Sequence, residues 1–236
     1  DLKPWCKDGF FSADCYYNSP LDFVQGLDGE HYWTLRNHCS INIIGGQGAY
    51  EKPQTAESYV KKYGADIVRL WVASQDFRND IIVSEERITK VGETYRVIRN
   101  ALRYQLSNLY DFDPRQQPDS AGETELDRWA RHRTGEVLEA VTAAYDRFQF
   151  HEVWRAVYQF CVLDLSSFYL DVLKDRLYTE AATSPARRCA QTVLYDILTT
   201  LVKLLAPILA ATTDEVWQLL RETHGVQEPS VHLAEW

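Results

Sequence analysis

One run of regularly spaced, mostly apolar residues constrains the fold of this chain more than any other feature. Its members are separated by three or four residues: Ile88, Val91, Tyr95, Ile98, Leu102, Gln105 and Leu109. This spacing places their side chains on one stripe of a long helix, and only Gln105 interrupts the apolar character of that stripe. The helix is predicted to close at YDFDP, because Pro114 disfavours helical geometry in Asp113.

Further helices downstream carry recognisable start signals. Thr124 and Asp127 have the spacing of a capping box, so a second helix is predicted to begin near Thr124. Ser184 and Pro185 form an N-cap and first-turn pair for a fourth helix, which is predicted to break at Pro207. A short fifth helix, TTDEVWQLL, follows it.

The third helix, predicted over roughly residues 153–178, differs in composition from the others. Its sequence, VWRAVYQFCVLDLSSFYLDVL, is apolar on nearly every face. Such a helix is expected to be surrounded by other helices instead of lying on a surface. We therefore predict that it is the central helix of a bundle.

The N-terminal part of the chain is organised differently. Residues 1–50 show neither a sustained helical nor a sustained strand period, so they are predicted to be irregular or short-stranded. After Pro53, Thr55 is a candidate N-cap for a helix that stops at Gly64, and ADIVRLWVAS is predicted to form the next helix. Long helices, short loops and no alternating strand pattern predict a mainly α chain: an antiparallel helical bundle that follows an irregular segment.

Composition and charge restrict the possible functions. The chain has 236 residues, of which 45% are hydrophobic, which is typical of a soluble globular protein. We find neither an apolar run of the roughly 20 residues needed to span a bilayer nor a signal peptide, so a cytoplasmic location is expected. A formal charge of −9 argues against binding to nucleic acid by bulk electrostatics, so any surface for RNA must be local.

Several long stretches resemble the isoleucyl-tRNA synthetase family, in the order in which that family carries them. They are KKYGADIVRLWVASQDFRNDI, YRVIRNALRYQLSNLYDFDP, FCVLDLSSFYLDVLKDRLY, TVLYDILTTLVKLLAPILAATTDEVWQLL and the terminal SVHLAEW. The resemblance covers about residues 47–236 and is far more specific than any single short motif. Leucyl, valyl and methionyl enzymes share the architecture, but FYLDVLKDRLY together with SVHLAEW is most similar to the isoleucyl branch.

The resemblance implies a division of the chain and a partner. In that family a catalytic domain is joined through a small stem-contact region to a helical bundle that grips the anticodon arm of the tRNA. Here it implies a stem-contact junction at 51–85, an anticodon-binding bundle at 86–225 and a tail at 226–236. The expected partner is isoleucine tRNA, bound by a monomer that has no contact with a membrane.

The catalytic signatures of the family are not recognisable in this sequence. The KMSKS loop, whose lysines neutralise ATP phosphates, would lie immediately before YEKP, where this chain has NIIGG at residues 42–46. The histidine-containing HIGH motif is also missing, so no catalytic residue and no cofactor are expected here, and ATP and Mg²⁺ are implied only for a parent enzyme. We therefore expect a piece of such an enzyme, with residues 1–46 an altered remnant of its catalytic domain. The absence of methionine favours the same interpretation.

Candidate RNA-binding residues begin on the first long helix. Arg96, Arg99 and Arg103 lie on one flank, about 100 to 160 degrees from Ile98 at roughly 100 degrees per residue. A solvated face that pairs with acids such as Glu93 is the alternative for an arbitrary helix. The resemblance favours RNA, because related class I enzymes carry an Arg-Asn pair at the positions of Arg99 and Asn100, where the arginine meets the anticodon loop.

Other cations are candidates for the same partner. Arg128, Arg131 and Arg133 form the densest cationic run, beside His132 and Trp129, and phosphate could offset their unfavourable position near a helix start. Trp129 is expected in the core, from its spacing to Leu126. Lys174 and Arg176 complete the candidate set, although their place near a helix C-terminus suits the helix dipole without any ligand.

The remaining chemistry-bearing residues favour structural roles. Phe168 and Tyr169 occupy positions where related enzymes place an aromatic residue facing the anticodon, but core packing is the preferred interpretation. Asp164 is predicted to be a buried acceptor paired with an arginine or a backbone donor. Metal binding is not predicted, because the spacing of the candidate ligands fits no common zinc site. Those ligands are Cys6, Cys15, His31, His38 and Cys39, and GGQG at 45–48 is predicted to be a turn.

Two functions of other classes stay open at this point. The chain could be a helical protein-interaction scaffold that uses its acidic charge and tyrosines without binding RNA. It could also be an enzyme in which residues 1–50 restore an ATP site by unfamiliar means, although the missing lysines argue against this. The orientation and pairing of the arginines distinguish the scaffold from an RNA-binding module.

Overall fold

A computed structural model describes residues 22–25, 31–34, 56–79, 81, 83–116 and 122–235. The chain forms two compact units, Asp1–Thr55 and Ala56–Trp236. In the first unit, β1 (Asp22–Gln25) and β2 (His31–Thr34) form an antiparallel pair in which Phe23 lies opposite Trp33. This pair agrees with the short-stranded character predicted for that part of the chain.

The second unit begins with two short helices separated by one glycine. They are α1 (Ala56–Tyr63) and α2 (Ala65–Ser74). Gly64 has a φ of 93°, a conformation that favours glycine, and its N–H donates to the carbonyl of Val60 at 2.9 Å. The predicted stop at Gly64 is therefore confirmed, whereas the predicted N-cap, Thr55, lies outside the described residues.

The long amphipathic helix is α3 (Glu85–Ser107). Ser84 caps its start by accepting a hydrogen bond from the backbone N–H of Arg87 at 3.3 Å. The predicted stripe faces the core: Ile98 and Leu102 are each 1% exposed, and Gln105 is buried with its amide donating to the carbonyl of Ala101. The prediction of the stripe is confirmed, and the polar member of the stripe finds a partner within its own helix.

The second long helix, α4 (Glu125–Asp146), begins at the predicted capping box. The N–H of Asp127 donates to Thr124 Oγ1 at 3.3 Å, and the N–H of Thr124 donates to Asp127 Oδ2 at 2.9 Å. Each residue thus satisfies a backbone donor of the other, as the sequence pattern predicted.

The third long helix, α5 (Phe150–Thr179), is not the buried centre of the bundle, so that prediction is wrong. Its middle third, Phe160–Tyr169, is a π-helix, and its outer side leaves Leu163 61% exposed and Tyr178 63% exposed. The sequence is apolar all round, but neighbouring helices cover only one side of it. By length and composition alone, this helix could cross a membrane. Core helices of soluble proteins can have the same length and composition, so these two properties are weak evidence for a membrane span.

The most buried helix is α6 (Pro185–Leu205), which starts at Ser184 with Pro185 in its first turn and ends before Pro207, as predicted. Its buried side chains occur on nearly every turn. The last helix, α7 (Ala210–His224), is longer than predicted and ends at Gly225, whose φ is 70°. A short 3-10 turn, Val231–Leu233, inserts Val231 into the core.

The bundle is organised around α6. This helix packs against α3, α4, α5 and α7, and α5 packs against both α3 and α4. As a result, α3 and α4 are joined chiefly through α5 and α6. The second unit is therefore a mainly α helical bundle, which confirms the predicted fold class. Helix α2 packs against α3, α5 and α7, so the junction helices belong to the same unit as the bundle.

Candidate nucleic-acid interface

Three exposed arginines follow one flank of α3 and define what we call the arginine ridge: Arg96, Arg99 and Arg103. Their spacing covers two helical turns, about 10 Å along the axis at about 1.5 Å per residue. Within the part of the chain that the structure describes, none of the three side chains forms an ion pair or a hydrogen bond. The described residues therefore leave the guanidinium donors of the ridge available to another molecule.

The described acids near the ridge form no ion pair with it. Glu93, the neighbour that a solvated face would use, is exposed and forms no ion pair with a described residue. Glu85 and Glu86 lie in the first turn of α3, where negative charge suits the helix dipole. The described neighbours thus leave the ridge as a local patch of positive charge in a chain whose net charge is −9.

The core fixes the helix under the ridge. Ile98 and Leu102 are buried beside Arg99, so the backbone of this turn is held by packing that does not involve the guanidinium groups. Asn100, the other member of the predicted Arg-Asn pair, is also exposed, so both side chains can contact a ligand. A ligand that binds Arg99 would therefore meet a preformed helical surface.

The second predicted cluster, on α4, is largely consumed by acids. Arg131 pairs with Asp196 and also lies 3.6 Å from Glu123, and Arg133 pairs with Glu136 and with Asp164 at 3.0 Å. The exposed Arg128 is the exception, since it pairs with none of the described residues. Binding of phosphate by Arg131 or Arg133 would have to displace these carboxylates, which was not apparent from the sequence.

Arg176 requires a correction, because its guanidinium is built into the fold. Its Nη1 donates to both oxygens of Asp127 at 2.9 Å, and its Nη2 donates to the carbonyl of Ala186 at 2.5 Å. Tyr169 Oη adds a hydrogen bond to Asp127 Oδ1 at 3.1 Å. The Arg176 side chain is 14% exposed and that of Asp127 is 0% exposed, so this arginine is not available to an RNA.

The protonation of Asp127 reflects these contacts. Burial by itself would raise the pKa of the Asp127 carboxyl, but the hydrogen bonds from Arg176 and Thr124 outweigh it and lower the pKa from its ordinary value. The carboxylate is therefore charged at neutral pH and forms a complete ion pair with Arg176. We call this group of Asp127, Arg176, Thr124 and Tyr169 the Asp127 centre.

The remaining predicted residues divide between solvent and core. Lys174 is exposed and pairs with Asp171 at 2.7 Å. Asp164 is half-buried and its partner is an arginine, Arg133, as predicted. Tyr169 is buried as predicted, but Phe168 is 45% exposed, so core packing was the wrong prediction for it.

Two of the aromatic side chains also contact each other. The Trp129 ring packs against the core and meets the Phe168 ring edge to face, with the ring centres 5.0 Å apart. This agrees with the core position predicted for Trp129.

One arginine cluster was not predicted from the sequence. Arg187, at the start of α6, donates to both carboxylate oxygens of Asp111 at 2.8 and 3.1 Å and to the carbonyl of Leu177 at 3.1 Å. Gln191 donates to the same carboxylate at 2.7 Å. The residues are about 80 positions apart in sequence, and no local pattern signals the contact, which ties the end of α3 to α6.

Several predictions concern residues outside the described part of the chain. They include the substituted loop at 42–46, the turn at 45–48, Cys6, Cys15, His38 and Cys39, and the side chain of His31. Among the residues that are described, no group of His, Cys, Asp or Glu is placed to hold a metal ion. The two described cysteines, Cys161 and Cys189, are buried and not disulfide-bonded, and burial raises the pKa of the Cys161 thiol to about 12.

Comparison with known families shows which proteins this helical bundle is similar to. Residues 127–236 match the family described as the anticodon-binding domain of tRNA ligase. The chain is also 48% identical over 178 residues to an isoleucine–tRNA ligase of Thermoanaerobacter sp. (strain X514), which covers 75% of this chain and 19% of the relative.

Two other isoleucine–tRNA ligases give the same picture. The Geobacter sulfurreducens enzyme is 49% identical over 179 residues, covering 75% of this chain and 19% of the relative. The Brevibacillus brevis enzyme is 48% identical over 220 residues, covering 93% of this chain and 22% of the relative. The resemblance to isoleucyl-tRNA synthetases is thus confirmed, and the chain spans about one fifth of the length of these relatives. The longest of these matches takes in α3, so the arginine ridge belongs to the part that resembles these ligases.

Proposed function

We propose that this chain holds the anticodon arm of isoleucine tRNA, with the arginine ridge as its main contact. The proposal depends mainly on the exposure and lack of described partners of the arginine ridge. Its three guanidinium groups are exposed and without described partners, while most other candidate arginines are engaged by acids. An anticodon-binding domain of the tRNA ligase family supplies the matching class of partner.

Guanidinium groups suit this task for two reasons. They bind phosphate oxygens through two parallel hydrogen bonds, and they stack on the faces of unpaired bases. Phosphate contacts position an RNA, whereas contacts to unstacked bases supply sequence specificity. Arg99 with Asn100 is the proposed base-reading pair, and Arg96 and Arg103 are the proposed phosphate contacts on either side.

Tyr95 does not take part in base reading in this proposal. The resemblance to class I enzymes implies that the methionyl type has an asparagine at that position, one turn before the arginine. In this chain the Tyr95 hydroxyl lies 2.9 Å from Thr212 Oγ1 and is engaged within the fold. Any reading of bases by this chain therefore differs from the methionyl mechanism.

Outlying cations play a smaller part in the proposed interface. Arg128 is exposed, without a described partner, and a candidate for an added phosphate contact. Lys174 can exchange its exposed partner Asp171 for phosphate at small cost, because surface ion pairs are weak. Arg131 and Arg133 contribute only if RNA displaces their carboxylates.

The proposed biological setting is ATP-dependent attachment of isoleucine to its tRNA. ATP and Mg²⁺ serve the activation step of full-length ligases in this proposal, and the chain itself takes neither. It acts as a cytoplasmic monomer that does not contact a membrane. An enzyme with an unfamiliar ATP site in residues 1–50 would instead show isoleucine-dependent pyrophosphate exchange, which we expect to be absent.

Filter binding tests the proposal with isoleucine tRNA and an unrelated tRNA at two salt concentrations, about 50 and about 200 mM. We expect weak binding that falls steeply with salt and favours isoleucine tRNA. Equal binding of both tRNAs would refute the specific version, and no binding at low salt would refute RNA binding altogether. Arg155→Ala, which removes an exposed arginine of α5 outside the proposed interface, is the matched control for alanine variants of the ridge.

The scaffold alternative required the arginines of the ridge and of residues 128–133 to point to opposite sides of the bundle or all to be paired with acids. It keeps one observation in its favour, the exposed apolar side of α5 that includes Leu163 and Phe168. The described acids leave the ridge unpaired, so RNA is the better partner for the α3 surface.

A further inference from the structure

A network of hydrogen bonds links the junction helix α2 to the turn of α3 that carries the arginine ridge. The carboxylate of Asp66 accepts hydrogen bonds from Thr212 Oγ1 at 2.5 Å and from the Thr212 N–H at 2.6 Å. Thr212 Oγ1 lies 2.9 Å from Tyr95 Oη. Because the threonine proton is directed at the carboxylate, the tyrosine hydroxyl is the donor in the second bond. This hydrogen-bond network joins three helices, α2, α7 and α3.

Asp66 and Arg69 hold opposite ends of one turn between α6 and α7. Arg69 Nε donates to the carbonyl of Ile208 at 2.9 Å and its Nη2 donates to that of Pro207 at 2.7 Å. Asp66 accepts from the N–H groups of Ala211 and Thr212 at the start of α7. The positive side chain thus binds two carbonyls of the turn, and the negative one binds N–H groups in the first turn of α7, which have no carbonyl partner within their own helix. The turn that bonds to Tyr95 is consequently fixed by charged contacts on both sides.

Of the residues in this hydrogen-bond network, Tyr95 is the one that can affect RNA binding. It precedes Arg96 directly and lies one helical turn before Arg99, so its hydroxyl contact sets the rotation of the ridge about the α3 axis. The ring also packs against the core, and the hydroxyl makes one hydrogen bond to Thr212. Loss of that bond would leave the packing in place and loosen only the orientation of this turn.

We infer that Asp66, through Thr212, and Tyr95 are positioning residues for the arginine ridge, which they hold in register with the junction helix. The inference rests on the proposed function, because it concerns how the ridge is presented to RNA. None of these residues touches the RNA, so they act only through the ridge. The partner they prepare the ridge for is the phosphate and unpaired-base surface of a tRNA.

The test uses Tyr95→Phe in the whole chain with isoleucine tRNA as the probe. This change removes one hydroxyl and keeps the ring, so the fold is retained. We expect affinity to fall about two- to tenfold, with the worth of one ordinary hydrogen bond as the upper limit, because the lost bond lies within the protein and acts on RNA only through the ridge. Tyr145→Phe is the matched control, because it removes a half-buried hydroxyl that donates to the carbonyl of Leu204 at 2.9 Å, away from the ridge. The control should lose a similar amount of stability and keep its affinity.

A double-mutant cycle with Arg99→Ala separates positioning from a general loss of stability. If Tyr95 acts by orienting Arg99, Tyr95→Phe should have little further effect on affinity once Arg99 is alanine. Full additivity of the two effects, equal loss of affinity in Tyr145→Phe, or wild-type affinity of Tyr95→Phe would each overturn the inference.

The same cycle shows which idea has failed. If Arg99→Ala alone binds tRNA as well as the wild type, the proposed function fails and the positioning role fails with it. If Arg99→Ala weakens binding but Tyr95→Phe does not, the ridge binds RNA and only the positioning role is refuted. Asp66→Asn is a second variant that should weaken affinity by more than Tyr95→Phe, because it loosens the turn that Tyr95 contacts.

Discussion

The arginine ridge and the Asp127 centre use the same residue type in opposite ways. Arg99 is exposed, without a described partner, and flanks a helix that is already held by its core. Arg176 is mostly buried, neutralises a fully buried carboxylate and closes hydrogen bonds between three parts of the chain. A guanidinium near a helix surface therefore identifies neither binding nor structure until its partners are known.

Removing the buried arginine and removing an exposed one should have different energetic costs. A buried ion pair that loses one partner leaves an uncompensated charge in the core, whereas an unpaired surface arginine leaves nothing unsatisfied when it is removed. Stability and RNA affinity should accordingly respond to different arginines.

Arg176→Ala should destabilise the fold by about 3 to 5 kcal/mol, because it strands the Asp127 carboxylate. Urea unfolding followed by circular dichroism measures this loss. RNA affinity of the folded fraction should change by less than about twofold. Lys174→Ala, on the same helix but in an exposed ion pair, is the control and should cost under about 1 kcal/mol. A stable Arg176→Ala protein that no longer binds RNA would reverse our assignment.

Asp127→Asn should cost about 1 to 3 kcal/mol at pH 7, the effect of removing a hydrogen-bonded charge. The folded-state pKa of Asp127 is lowered, so its contribution is complete above the unfolded pKa of about 4 and is lost as pH falls through the folded pKa. The stability difference between wild type and variant should therefore shrink below about pH 4. Urea midpoints at several pH values report it, and a difference that does not change with pH would contradict the ion pair.

Arg131 and Arg133 are paired with acids but are more exposed than Arg176. Arg131→Ala and Arg133→Ala should have the smallest effects on stability and RNA affinity. Each loses a surface or half-buried ion pair, so we expect under about 1 kcal/mol of stability and less than about threefold in affinity. Arg128→Ala, which breaks no described ion pair, should lower affinity by more than either of them. Filter binding of the three variants side by side gives the order, and a reversed order would show that RNA displaces the acids.

The helix boundaries were largely predictable because their signals are local. The capping box of Thr124 and Asp127, the stop at Gly64 and the Ser184–Pro185 start depend on residues within one turn of each other. The stripe of α3 was equally readable, since its period specifies which side is buried. The ridge followed from the same period, as the flank that the stripe leaves exposed.

Contacts between distant residues were not predictable in the same way. Arg176 lies 49 positions from Asp127, and no spacing rule connects them. Adjacent residues of a helix point in directions about 100 degrees apart, and only the packing of the other helices decides that Tyr169 is buried while its neighbour Phe168 is exposed. An apolar composition on every face of α5 could not show that neighbours cover only one side.

Affinity and stability of Arg99→Ala, measured on the same protein preparation, test the central claim most directly. Affinity for isoleucine tRNA should fall about five- to hundredfold, as expected for a charge-assisted contact worth roughly 1 to 3 kcal/mol. Stability should change by under about 1 kcal/mol, because Ile98 and Leu102 keep the helix in place. Rescue by Arg99→Lys would indicate simple attraction to phosphate, and failure of rescue would indicate stacking or bidentate recognition. An Arg99→Ala protein that unfolds without a separable binding defect, or that binds tRNA like the wild type, would contradict the account.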